Sequence, residues 1–160
     1  MGGIVTSARE AMLTRAPVPP ANNDAVPVDS TPEDAAWRYE RMLQAVYGAA
    51  ALDPARPLFD ITPLGLGEDG HIASLLPGEP VLQEPRRWVA AVSHGRPEVR
   101  ITMTCPVIAS SRRVAFLIVS KEKATIFQAI RTGDSAVSAA RVKPIGELIW
   151  FVDRAAAGEG

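Results

Sequence analysis

Apolar positions divide the chain into alternating helical and extended stretches. Ile4, Val5, Ala8, Met12 and Leu13 fall on one side of a helix, which predicts a short amphipathic helix over residues 4–14, stopped before Pro17. Residues 16–31 combine Pro17, Pro19, Pro20 and Pro27 with Asn22, Asn23 and Asp24, the composition of a surface loop. Thr31, Pro32 and Asp34 then read as a helix start: a hydroxyl cap, a proline at the first position and a carboxylate three residues on. That helix is expected to run to about residue 52, with Ala35, Tyr39, Met42, Leu43, Val46 and Ala50 on its inner stripe. Trp37 falls off the stripe and is expected to pack on a neighbouring loop.

Asp53-Pro54 and Pro57 close the helix, and residues 58–64 read as the first strand. Pro63 offers no backbone donor and so suits a strand end or a sheet edge. Residues 88–92 and 99–104 predict two more strands, followed by a helical turn over 106–111. The unbroken apolar run over 114–119 marks a strand buried on both faces. Ser120 is expected to cap a helix over 121–131, with Ala124, Phe127 and Ile130 turned inward. A last strand over 148–152, with Trp150 and Phe151 as packing residues, precedes a small polar tail. Strands alternating with helices predict a three-layer α/β domain with a largely parallel, Rossmann-like sheet.

Length and charge restrict the classes of function. One hundred and sixty residues suit a single domain spanning 1–160. No apolar run approaches the ~20 residues of a membrane span, and the start lacks a basic region and a long apolar core, so neither a membrane nor secretion is expected. A single cysteine, Cys105, excludes an internal disulfide and points to the cytoplasm. A net charge of −1 argues against nucleic acid as partner. The charge is uneven: residues 1–80 carry 5 Lys/Arg against 11 Asp/Glu, and residues 81–160 carry 12 against 7. The positive second half fits an anionic small substrate, and equally an ordinary solvated surface.

The densest chemistry lies between Phe59 and Gly78. There an apolar run ends in Gly65 and Gly67, followed by Asp69, Gly70 and His71. The pattern predicts a strand, a tight turn whose backbone approaches a ligand closely, and a short helix. Asp69 and His71, two residues apart at a strand tip, both project toward one cleft, and ligands of open α/β sheets collect at the carboxyl ends of strands. No Gly-Lys-Ser/Thr follows, so this is not a phosphate-binding P-loop, and Pro77-Gly78 comes too soon for a dinucleotide fingerprint. His71 and His94 with Cys105 make a poor zinc set, so neither a metal nor a cofactor is expected. His94 reads as surface, and Cys105, with no histidine at a suggestive spacing, as buried rather than nucleophilic.

Gly65-Leu66-Gly67-Glu68-Asp69-Gly70-His71, with Ala73-Ser74-Leu75 and Pro77-Gly78, resembles the signature of the 6-phosphogluconolactonases, which share a fold with the glucosamine-6-phosphate deaminases. Four further segments are similar in family order: Ala8 to Asn23, Arg100 to Thr104, Glu122-Lys123-Ala124, and Gly146 to Asp153. The resemblance implies hydrolysis of 6-phosphoglucono-1,5-lactone to 6-phosphogluconate in the pentose phosphate pathway, without a cofactor. Such chemistry needs a base, oxyanion donors and a cationic cradle. The resemblance implies His71 as base, Asp69 as its orienting partner, and Arg100 and Lys123 as phosphate ligands. Backbone N–H groups from Gly65 through Gly67 to Gly70 would bind the oxyanion or ring hydroxyls. Arg141 and Glu147 are open candidates for the cleft wall.

Departures from the family pattern set the alternatives. A Ser-Gly-Gly phosphate loop and an Asp-Glu-Arg segment precede the matched region in family members and are absent from these residues. The expectation is an N-terminally truncated domain, completed by a complementary N-terminal segment or by a second copy, or else a non-catalytic remnant. Pro63, Ile72 and Leu76 replace the usual aliphatic, threonine and phenylalanine residues. A glucosamine-6-phosphate deaminase/isomerase is the other enzyme reading. That family places a catalytic glutamate five residues after the histidine, where Leu76 stands here.

Overall fold

The computed structural model describes residues 7–93, 98–134 and 137–159. Arg9–Leu13 forms one π-helical turn with no buried side chain, so the expected inward stripe is not packed; Ile4 and Val5 lie outside the described residues. Helix α1 is Pro32–Tyr47. Thr31 Oγ1 accepts from the Asp34 N–H at 3.3 Å, and Pro32 needs no partner at the first position. The helix stops earlier than expected because Gly48 turns left-handed at φ 78°, its N–H closing on the Gln44 carbonyl at 2.8 Å.

The buried face of α1 is Ala35, Ala36, Glu40, Leu43 and Tyr47, rotated from the apolar stripe. Val46 is 73% exposed, and Trp37 faces solvent instead of packing on a loop. Two polar side chains cause the rotation. The Glu40 carboxylate, on a residue only 8% exposed, accepts from the backbone of Trp88 (2.8 Å) and Val89 (3.1 Å) and from Arg87 Nε (2.9 Å). The Tyr47 hydroxyl takes the Asp53 N–H at 2.8 Å, donates to the Arg56 carbonyl at 2.7 Å, and its ring meets Trp88 edge-on. Buried donors at the start of a strand need acceptors, and satisfying them outweighs the burial of one valine.

Strands β1 (Thr62–Gly65), β4 (Arg113–Ile118) and β5 (Glu147–Val152) form a parallel sheet in the order β1-β4-β5. Thr62 pairs with Val114 and Gly65 with Leu117; Arg113 pairs with Glu147 and Ile118 with Val152. Residues 58–61 were expected in the first strand; only Phe59 touches the sheet region, through an isolated bridge to Ser111. Strands β2 (Val89–Val92) and β3 (Arg100–Met103) pair antiparallel as a separate ribbon against α1. The α/β class with a parallel sheet is as expected, and the ribbon is its antiparallel addition.

Helix α2 (Cys105–Ala109) begins at Cys105, which is half-buried. Helix α3 (Ala124–Arg131) turns Phe127 and Ile130 onto the sheet, and α4 (Arg154–Ala157) makes the expected polar tail helical. Phe116 stacks on Trp150 at 4.4 Å and Phe127 completes the group, a contact worth about 0.5–1.5 kcal/mol beyond area burial. Strand β4 is not buried on both faces throughout, since Leu117 is 54% exposed, and Phe151 of β5 also faces solvent rather than packing.

Glu40 ties α1 to the ribbon, so Glu40→Ala should leave three donors without their acceptor and cost about 3 kcal/mol. Urea unfolding should show a lower midpoint at unchanged slope, with Glu40→Gln between the two.

Candidate active site

The signature loop springs from the carboxyl end of β1. Leu66, Ile72 and Leu75 anchor it in the main core, the last two fully buried. Two backbone bonds close it: Gly67 N–H to the His71 carbonyl at 2.8 Å and Gly70 N–H to the Gly67 carbonyl at 3.1 Å. These two donors are therefore occupied, which corrects the expectation that they face an oxyanion. The expected short helix is also absent; a turn joins Ile72 to Leu75 through the Leu75 N–H and Ile72 carbonyl at 2.8 Å, with Ala73 left-handed at φ 49°.

The three glycines differ in what they permit. A Cβ at Gly67 would strike the His71 ring and lie 2.7 Å from Asp69 Oδ1. Gly70 sits at φ 80° against Val137 and Ile126, and its carbonyl takes the Ala139 N–H at 3.2 Å. Gly65 is an ordinary strand residue with open space where a Cβ would stand, so its own backbone requires no glycine.

Asp69 Oδ1 accepts twice from His71, from the backbone N–H at 3.1 Å and from Nδ1 at 2.6 Å. Partial burial pulls the Asp69 carboxyl upward, but the two His71 hydrogen bonds and the imidazole's charge outweigh it and hold the group below its ordinary range. When the imidazole is neutral, an ionised acceptor at Nδ1 keeps the proton on that nitrogen, and Nε2 is then the accepting nitrogen. This is the arrangement of an oriented general base.

Lys123 reaches the same loop: its Nζ lies 3.8 Å from Glu68 Oε1, and its side chain is only 20% exposed. Sequence alone did not single out Glu68; its charge was visible, its distant partner was not. Arg100 belongs to β3 and not to the signature loop. It borders a cavity of about 780 Å³ with Thr62, Pro63, Ala73, Ser74 and Thr102, whose lining does not include Asp69, His71 or Lys123. The two regions touch through the Ser74 N–H, which donates to Thr102 Oγ1 at 3.2 Å. The structure thus brings Asp69, His71 and Lys123 to one loop and sets Arg100 on the cavity that Ala73 and Ser74 also line.

Ser120, expected as a helix cap, caps nothing with its side chain. It sits at φ 86° and ψ 151°, a glycine-like conformation costing on the order of 1–3 kcal/mol, and leads into the 3₁₀ turn Lys121–Lys123. Glu147 pairs with Arg113 at 2.8 Å at the amino ends of β5 and β4, the opposite end of the sheet from the loop, so it does not line the cleft. Arg141 ends the 3₁₀ turn Ser138–Arg141 near Cys105; burial pushes the Cys105 thiol up, and the arginine pulls it back in part. His94 lies outside the described residues.

The model of the glucosamine-6-phosphate isomerases/6-phosphogluconolactonase family matches residues 4–150. The chain belongs to that family. A 6-phosphogluconolactonase of Rattus norvegicus is 38% identical over 157 residues, 93% of this chain and 58% of the relative. The chloroplastic 6-phosphogluconolactonase 3 of Arabidopsis thaliana is 35% identical over 159 residues, 95% of this chain and 49% of the relative. The solved 6-phosphogluconolactonase of Thermotoga maritima superposes with a TM-score of 0.76 at 28% identity, covering 92% of this chain and 63% of that one. The chain therefore spans about half to three-fifths of the length of these family members. Among the described residues no helix is long and apolar enough to cross a membrane.

Two outcomes follow from the loop geometry. Gly67→Ala should displace the imidazole and abolish the His71–Asp69 hydrogen bond, read as loss of the strongly downfield Nδ1 proton resonance. Asp69 carries a depressed pKa, so its contribution to stability is fully present above the ordinary value of 3.8 and fades as pH falls through the lower folded value. Asp69→Asn should therefore be less stable than the parent near neutrality, and the gap should close in acid denaturation below that range.

Proposed function

We propose that the Asp69–His71 pair is the base of a lactonase site that hydrolyses 6-phospho-D-glucono-1,5-lactone to 6-phosphogluconate. The observation that carries this reading is the 2.6 Å contact between the His71 imidazole and Asp69 at the carboxyl end of β1. Asp69 holds the proton on Nδ1, and Nε2 takes a proton from water as the oxygen attacks the lactone carbonyl. The tetrahedral intermediate collapses with release of the ring oxygen, which takes the proton back from His71 as the free hydroxyl. Lys123 supplies a point charge for the phosphate, and Arg100 a planar fork beyond the Ala73–Ser74 turn.

In this reading a complementary segment or a second copy adds to the cationic cradle. The enzyme is placed in the cytoplasm, where one unpaired cysteine is at home. The glucosamine-6-phosphate deaminase reading is disfavoured because no carboxylate stands at Leu76.

The test follows opening of freshly made lactone above its spontaneous rate. His71→Ala should lower the catalysed rate by about 10²–10⁴-fold. An unchanged rate in that variant removes His71 as base. A parent chain no faster than the spontaneous reaction makes it a non-catalytic remnant.

A further inference from the structure

We propose that Asp153 is a positioning residue for the phosphate end of the site: its carboxylate holds the Ser120 turn that delivers Lys123 to the Asp69–His71 loop. The inference rests on the reading of Lys123 as a phosphate ligand. Ser120 leaves the carboxyl end of β4 in a backbone conformation that a residue with a Cβ keeps only where its surroundings impose it. The group that holds the Ser120 amide is Asp153, while the Ser120 side chain meets Glu122. Asp153 Oδ2 accepts the Ser120 N–H at 3.0 Å, and its own N–H donates to the Ile118 carbonyl at 3.1 Å, extending the β4–β5 contact beyond the strands. Its other oxygen, Oδ1, accepts the Ala156 N–H at 2.7 Å and so is fixed to α4. The N–H groups of Ala156 and Ser120 also draw the Asp153 carboxyl below its ordinary range.

Capping α4 needs only one of these oxygens; the second grips the strained residue. From Ser120 the chain makes a single 3₁₀ turn, closed by the Lys123 N–H on the Ser120 carbonyl at 3.2 Å. Lys123 is therefore one turn from the anchored amide, and its ammonium stands 3.8 Å from Glu68 of the signature loop. A turn freed from Asp153 can relax Ser120 toward an unstrained conformation, and the lysine leaves the loop with it.

Calorimetric binding of 6-phosphogluconate to the full chain tests this with five variants. Asp153→Ala should weaken binding about tenfold, the scale of one charge-assisted contact, with Asp153→Asn in between because its amide oxygen keeps one acceptor. Lys123→Ala should weaken it at least as much, and the double variant Lys123→Ala/Asp153→Ala should be no worse than Lys123→Ala alone. Ser120→Gly placed in Asp153→Ala should recover most of the affinity, because glycine takes the same torsions without strain. If Asp153→Ala lowers the melting temperature but leaves affinity unchanged, or if its loss multiplies with that of Lys123→Ala, Asp153 does not act through Lys123 and the proposal fails. If Lys123→Ala has no effect, the reading of Lys123 as a phosphate ligand fails as well.

Discussion

The site depends on the missing side chain at position 67. The imidazole of His71 and the carboxylate of Asp69 occupy the space into which any Cβ there would project. With that space open, the loop folds back until the Gly67 N–H meets the His71 carbonyl, and the same closure sets the 2.6 Å contact between Asp69 and Nδ1. Shape and electrostatics are thus one event: the turn that brings the two side chains together also supplies the N–H that lowers the carboxyl's proton affinity. The pair is held by backbone, so its geometry does not depend on a bound ligand.

The sheet supplies the rigid base from which this loop rises. Central β4 pairs on both sides, with β1 carrying the loop and β5 leading to Asp153. Phe116 of β4 and Trp150 of β5 stack their rings side by side on one face of the sheet, while Ile72 and Leu75 pin the far end of the loop into the same core. Lys123 arrives from the carboxyl end of β4, the same end of the sheet. Three separate parts of the chain therefore converge because the strands are parallel and in register, which places their carboxyl ends together.

Much of this was legible in the residues. The Thr31–Pro32–Asp34 start of α1 was visible, because capping chemistry is local. So were the apolar run of β4 and the glycine-rich exit from β1. What escaped was non-local. Glu40 looks like a surface residue by helical spacing, and it is buried because donors of Trp88 and Val89, nearly fifty residues away, need an acceptor. Residues 88–92 and 99–104 announce strands but not their direction, so the antiparallel ribbon was hidden. Ser120 has the composition of a cap, yet its amide donates to Asp153 and its torsion is one that no local preference would select. Within the site, the closeness of Asp69 and His71 could be read from spacing, whereas the Glu68–Lys123 pair and the cavity that Arg100 borders could not.

The lone cysteine has a consequence for how the molecule behaves in air. Burial at the start of α2 raises the Cys105 thiol, and the nearby Arg141 only partly offsets it. The anionic sulfur is the form that attacks peroxides and other disulfides, and at neutral pH it is scarce here. The thiol should therefore react more slowly with disulfides and alkylating reagents than an exposed cysteine does.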